Sequence, residues 1–101
     1  MNLTLSSTQI RFLRSKAHSL KAVLQVGAKG ITDAFLLELN SALEQHELLK
    51  VKLAVPEGIS KQTWIDQIID GTHSCLVQYI GHTIVLYKPN QESPKLALPK
   101  F

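Results

Sequence analysis

Residues 22–36, AVLQVGAKGITDAFL, constrain the fold more than any other stretch. An apolar, β-like run from Ala22 to Val26 stops at Gly27-Ala28-Lys29-Gly30, and a helix-like segment opens at Thr32. Glycines at both ends of the turn permit positive φ and leave no Cβ in the way. The turn delivers the chain to a helix N-terminus, where N–H groups lack partners and the dipole is positive. Such a place suits an anion, and phosphate is the anion that a small basic protein meets most often. Lys29 adds a mobile ammonium at the tip. Gly-x-x-Gly alone more often marks only a turn. Its setting between a strand and a capped helix makes Gly27, Ala28, Lys29 and Gly30, leading into Ile31 and Thr32, a candidate grip on a nucleic-acid backbone. Asp33, in the first helical turn, competes with a bound anion and ordinarily stabilises the helix.

The segment upstream carries the charge that such a grip needs. Ser7 or Thr8 can cap a helix running to about Leu20, with Ile10, Leu13, Ala17 and Leu20 on one side. Arg11, Arg14, His18 and Lys21 fall together on an adjacent side. A polar flank is normal for an amphipathic helix. Yet Met1–Lys21 contains no Asp or Glu, so no ion pair within the helix neutralises these cations, and a binding surface is the preferred reading. The whole chain has 11 Lys and Arg against 8 Asp and Glu, a net charge of +3, which is too modest to establish a nucleic-acid partner by itself.

At 101 residues and 45% hydrophobic, the chain can bury one core. No apolar run is long enough to span a bilayer, and the start lacks the ordered regions of a signal peptide. A soluble cytoplasmic protein is the expectation, with no membrane partner. The single cysteine, Cys75, lies in an apolar run and reads as a buried structural thiol.

Ala22–Val26 reads as a short, largely buried strand. Thr32 caps a second helix that extends to about His46 or Glu47, its apolar face Phe35, Leu36, Leu39, Ala42 and Leu43, its exposed side acidic through Glu38, Glu44 and Glu47. Leu48 to Val55 alternates cleanly: Leu49, Val51 and Leu53 share one face, Lys50 and Lys52 the other. Those lysines either face solvent or extend the basic surface. Ser60 can cap a third helix to about Asp70, with Ile65, Ile68 and Ile69 inward and Gly71 as its stop. Trp64 at its start reads as a packing anchor rather than a stacking platform. Two β-rich runs, Ser74 to Ile80 and Thr83 to Lys88, flank a Gly81-His82 turn and form a hairpin. Tyr79 and Tyr87 read as core or edge packing. The residues from 91 to 101 form a polar, proline-containing tail, expected to be mobile.

The order α-β-α-β-α-β-β predicts an α/β domain of α+β character. The second helix joins the first two strands in parallel by a right-handed crossover, and the hairpin completes a mixed four-stranded sheet.

Enzymatic readings find little support. His18, His46, His73 and His82 lack metal-ligand spacing, and no nucleophile motif is present. The glycine turn lacks the Gly-Lys-Ser/Thr of a P-loop and the G-x-G-x-x-G of dinucleotide sites. No catalytic residue, metal, cofactor or small-molecule substrate is expected.

With the whole order in view, the chain resembles the CRM domain (chloroplast RNA splicing and ribosome maturation), and most closely the free-standing bacterial YhbY-type proteins. The resemblance rests on LTxxxxQxxFLRSKAHSLKAVLQVGAKGIT at 3–32, ALEQHELLKVKL at 42–53 and VQYIGHTIVLYKP at 77–89. It implies a domain over residues 1–90 with a fold like the C-terminal domain of translation initiation factor three. It further implies RNA binding, with ribosomal RNA in precursors of the large ribosomal subunit as the target and ribosomal proteins as neighbours. Family members present the Gly-x-x-Gly loop to RNA, and their basic first helix carries over to Arg11, Arg14, Lys16, His18 and Lys21. Ala28 stands where many relatives have a second polar or basic loop residue. Lys88 stands where arginine is common, which would lose forked phosphate contacts. The rival is a protein-binding assembly factor whose glycine turn is only structural.

Overall fold

A computed structural model describes residues 5–27 and 29–89. Ala28 and the tail from 91 to 101 lie outside the described residues, so neither the second loop position nor the expectation of a mobile tail is addressed. The elements are α1 (Ser7–Ala17), β1 (Ala22–Val26), α2 (Asp33–His46), β2 (Leu48–Leu53), α3 (Lys61–Thr72), β3 (Cys75–Ile80) and β4 (Thr83–Tyr87). They form a mixed α/β domain around one four-stranded sheet of order β1-β2-β4-β3. β1 runs parallel to β2, while β4 is antiparallel to both β2 and β3.

Helix boundaries follow their caps. Ser6, not Ser7 or Thr8, opens α1 with a reciprocal box: its Oγ accepts from the Gln9 N–H at 3.2 Å, and its own N–H donates to Gln9 Oε1 at 3.1 Å. The helix ends at Ala17, three residues early, so Leu20 and Lys21 belong to the connection, and both are exposed. Thr32 caps α2 as its sequence predicts, Oγ1 accepting from the Phe35 N–H at 3.0 Å. Ser60 precedes α3, yet its side chain makes no capping bond. Gly71 does not stop that helix. It lies inside, where a Cβ would come within 2.8 Å of Leu36 Cδ1, and His73 makes the left-handed exit at φ 55°.

The sheet is covered on both faces. On one, α2 and α3 enclose the larger core: Val26, Leu39, Leu43, Leu49, Val51, Leu53, Trp64, Ile65, Ile68, Ile84 and Leu86. On the other, α1 inserts Leu13 and Ala17 against Leu48, Val77, Val85 and Tyr87. Each fully buried Leu or Ile contributes about 1.5–3 kcal/mol. β4 is therefore apolar from Ile84 to Tyr87, as a central strand covered twice must be.

Two sequence expectations fail here for tertiary reasons. β1 is an edge strand and mostly exposed, with only Val26 buried, because α1 does not reach over it. Glu47 is not on the acidic flank of α2: it lies past the helix end at φ 59°, fully buried, and its carbonyl accepts from the Lys88 N–H at 2.8 Å. Cys75 is half-buried and in no disulfide. None of the described helices is long and apolar enough to cross a membrane.

Candidate nucleic-acid interface

An 11-residue helix is about 16 Å long, too short to cover its face of the sheet from end to end. α1 packs over the row Leu48–Tyr87 and leaves the opposite end open. There the strand register lines up Lys50 with Val85 and Gln78, and Gln25 with Lys52, Thr83 and Ile80. Paired residues share a face, so these side chains border the uncovered ground beside α1.

The result is a cleft of about 620 Å³. One wall is the α1 flank Arg11, Arg14, Ser15 and His18, the i, i+3, i+4, i+7 positions of a single side. Lys50, Gln78 and Thr83 stand opposite, and Ile80 and Val85 supply apolar ground. No described carboxylate lines it. Arg14 offers donors only, so the Gln78 amide is assigned with its oxygen towards it; in that orientation Oε1 accepts from Nη2 at 2.9 Å and from Nε at 3.0 Å.

Gln78 reaches this position through an irregularity. The β3–β4 register shifts between Leu76 and Gln78. Val77 and Gln78 consequently both serve the α1 side, the first in the core and the second in the cleft. Tyr79, next along, pairs with Ile84 on the other face and stands 41% exposed with Lys61 Nζ 5.7 Å from its ring. Tyr87 is buried in the α1 core, so neither tyrosine stands in the cleft.

The predicted cations outside the glycine turn divide into three groups. Arg11, Arg14, His18 and Lys50 meet in the cleft. Lys52 is exposed and sits between the cleft and β1, paired with both Thr83 and Gln25. Lys16 turns to its own helix, Nζ 5.5 Å from the Phe12 ring, and Lys21 leaves the helical stripe because α1 has ended. Sequence reading missed Ser15, Gln78, Thr83, Ile80 and Val85. The interruption of an apolar run by Gln78 is the one local signal they leave.

The glycine turn lies outside the cleft, one step beyond Gln25 and Val26 at the end of β1. Its two glycines are not equivalent. Gly30 takes φ 72° and donates its N–H to the Gly27 carbonyl at 3.0 Å, whereas Gly27 has no positive φ. The turn leans on Trp64, which is buried at the start of α3 and packs as an anchor. Lys29 is exposed. The Gly30 amide is thus used by the turn and the Phe35 amide by Thr32, leaving the first-turn amides of Asp33 and Ala34 as those a helix cannot satisfy itself. The acidic side chains Glu38, Glu44, Asp66 and Asp70 are all exposed on α2 and α3, across the sheet from the cleft.

Residues 5–88 match the family model described as the CRS1 / YhbY (CRM) domain. The chain is 43% identical over 97 residues to a Haemophilus influenzae protein named "RNA-binding protein", covering 96% of this chain and 97% of that one. It is 42% identical over 95 residues to the Bacillus subtilis protein named "Probable RNA-binding protein YqeI", covering 94% and 99%. The solution structure of the Staphylococcus aureus protein SAV1595 superposes with a TM-score of 0.79 at 33% identity, over 95% of this chain and all of that one.

Proposed function

The chain belongs to the CRS1/YhbY (CRM) domain family, and from that premise we propose that it is a non-catalytic, cytoplasmic RNA-binding protein. Its target is ribosomal RNA in precursors of the large ribosomal subunit, with ribosomal proteins as neighbours. The observation that carries the RNA reading is the cleft, where Arg11, Arg14, His18 and Lys50 converge with no described carboxylate among them. Cations gathered on one side, with Glu38, Glu44, Asp66 and Asp70 across the sheet, give a phosphate chain one face to approach. The names of the relatives favour the same partner. The ribosomal target rests on the motif resemblance.

The chain's RNA contacts are of two kinds. The cleft cations hold phosphates, and Lys52 carries the positive strip towards the glycine turn. There Lys29 and the open amides of the α2 first turn take the next stretch of backbone. Contacts of this kind read backbone and shape, so the RNA is chosen by its fold and its setting.

Crosslinking in living cells followed by sequencing of the attached RNA tests this, with a variant carrying Asp at positions 28 and 29 alongside. Reads should concentrate on large-subunit ribosomal RNA and its precursors, and collapse in the variant. Reads spread evenly over cellular RNA would remove the ribosomal target, and reads indifferent to the variant would remove the loop.

A second reading has its own observation. Gly30 is held by the Gly27 carbonyl and backed by Trp64, which is what a purely structural turn in a protein-binding assembly factor would look like. Pull-downs before and after nuclease treatment separate the two: partners that survive nuclease favour this reading, and loss of ribosomal material favours RNA.

A further inference from the structure

We propose that the cleft between α1 and the sheet holds one unstacked base of single-stranded RNA, and that Gln78 selects a base presenting a carbonyl oxygen. The inference rests on the RNA-binding reading and adds a nucleotide site within it. The cleft volume of about 620 Å³ falls within the ~300–1,000 Å³ typical of small-ligand sites. Its make-up is that of a nucleotide site rather than a phosphate track. Arg11, Lys50 and His18 line it, while Ile80 and Val85 offer apolar ground that phosphate has no use for. Ile80 is 62% exposed, an apolar surface that the face of a base would cover. A base inside a duplex has its faces stacked and cannot reach it, whereas an unpaired one can.

The selectivity comes from Arg14. A guanidinium has donors only, so the Gln78 amide is assigned with its oxygen towards Arg14, and in that orientation Nε and Nη2 both donate to Oε1. An amide has one acceptor end and one donor end, so a guanidinium on the oxygen fixes the amide and commits Nε2 to donating. Gln78 therefore meets the cleft as a donor, and a carbonyl acceptor on the base, as on uracil or guanine, completes it. An exocyclic amino group, as on adenine, meets donor with donor. Thr83, beside it, has a hydroxyl that can serve either way. Gln78 is thus a specificity-determining residue, and Arg14 both holds phosphate and orients it.

Fluorescence anisotropy with oligo(U), oligo(A) and a fully paired U·A duplex, on wild type, Gln78→Leu and Gln78→Glu, tests the proposal. Wild type should prefer oligo(U) to oligo(A) by about fivefold, the scale of one neutral hydrogen bond, and bind the duplex more weakly than oligo(U). Gln78→Leu removes the donor without altering charge, so the preference should vanish while the salt dependence stays. Gln78→Glu can keep Arg14 in place through a carboxylate but turns an acceptor to the cleft. Its affinity should fall for both oligomers and its preference should turn towards oligo(A). An unchanged oligo(U) preference in both variants, no preference in wild type, or a duplex that competes equally would overturn base reading. Salt-dependent binding that persists through those results leaves the RNA-binding reading standing; absence of binding to all three RNAs removes both.

Discussion

Gly30 lies against the indole of Trp64, where a Cβ built on the glycine would stand 3.6 Å from Cζ2. That is ordinary contact, so an added methyl would find room. What glycine supplies is the backbone angle of 72°, which costs an L-residue about 1–2 kcal/mol. The partner glycine, Gly27, has open space around its Cβ position and no positive φ.

Gly30→Ala should therefore lower the melting temperature by at least about 4 °C for a domain of this size, while Gly27→Ala should leave it within about 2 °C. Thermal unfolding by circular dichroism measures both. Equal losses would mean that the two glycines share one structural role.

The paired substitution Arg11→Ala, Arg14→Ala removes two cleft cations from an exposed flank of α1. Each phosphate contact contributes about 0.7 to the salt slope on single strands. The slope of log affinity against log salt should flatten by about 1.4, with the melting curve little changed. A slope equal to wild type would exclude this flank as a contact surface.

His73 leaves α3 in the left-handed region at φ 55° and is exposed. Glycine adopts that angle without strain, so His73→Gly should stabilise the domain by about 1 kcal/mol. The readout is the urea midpoint, which should rise with an unaltered m-value. A fall would show that the imidazole contributes more than the angle costs.

Tyr87 predicts an alkaline limit. Burial raises its phenol above the usual 10.0, and the charges of Glu47 and Cys75 push the same way. The folded state thus resists ionisation more than the unfolded chain does. Stability from this group is intact below the unfolded value of about 10 and is lost as pH rises from there through the folded pKa. Unfolding free energy should decline above about pH 10 in wild type and decline less in Tyr87→Phe. Identical profiles would assign the loss to other groups.

Much of the fold was legible because its signals are local. Thr32 caps α2 through its own side chain, the alternation of Leu49, Val51 and Leu53 faces one core, and Gly81-His82 closes the hairpin. The illegible parts depend on partners far along the chain. Whether Ala22–Val26 is buried depends on which strand lies outermost and how far α1 reaches. Glu47 carries no mark in sequence of its burial or its positive φ. The site was readable on its helical half, since Arg11, Arg14 and His18 follow helix periodicity. On its sheet half only Lys50 was named, because the shift between Leu76 and Gln78 breaks the two-residue alternation that would have assigned Gln78 to a face.

β1 has a neighbour on one side only, and the glycine turn hangs from its end. Outer rungs of a ladder open before inner ones, whereas Lys50, Thr83 and Val85 stand on β2 and β4, each gripped from both sides. The floor of the cleft on β2 and β4 is therefore stiffer than its far rim on β3, an outer strand too, where Gln78 and Ile80 can yield to fit what enters.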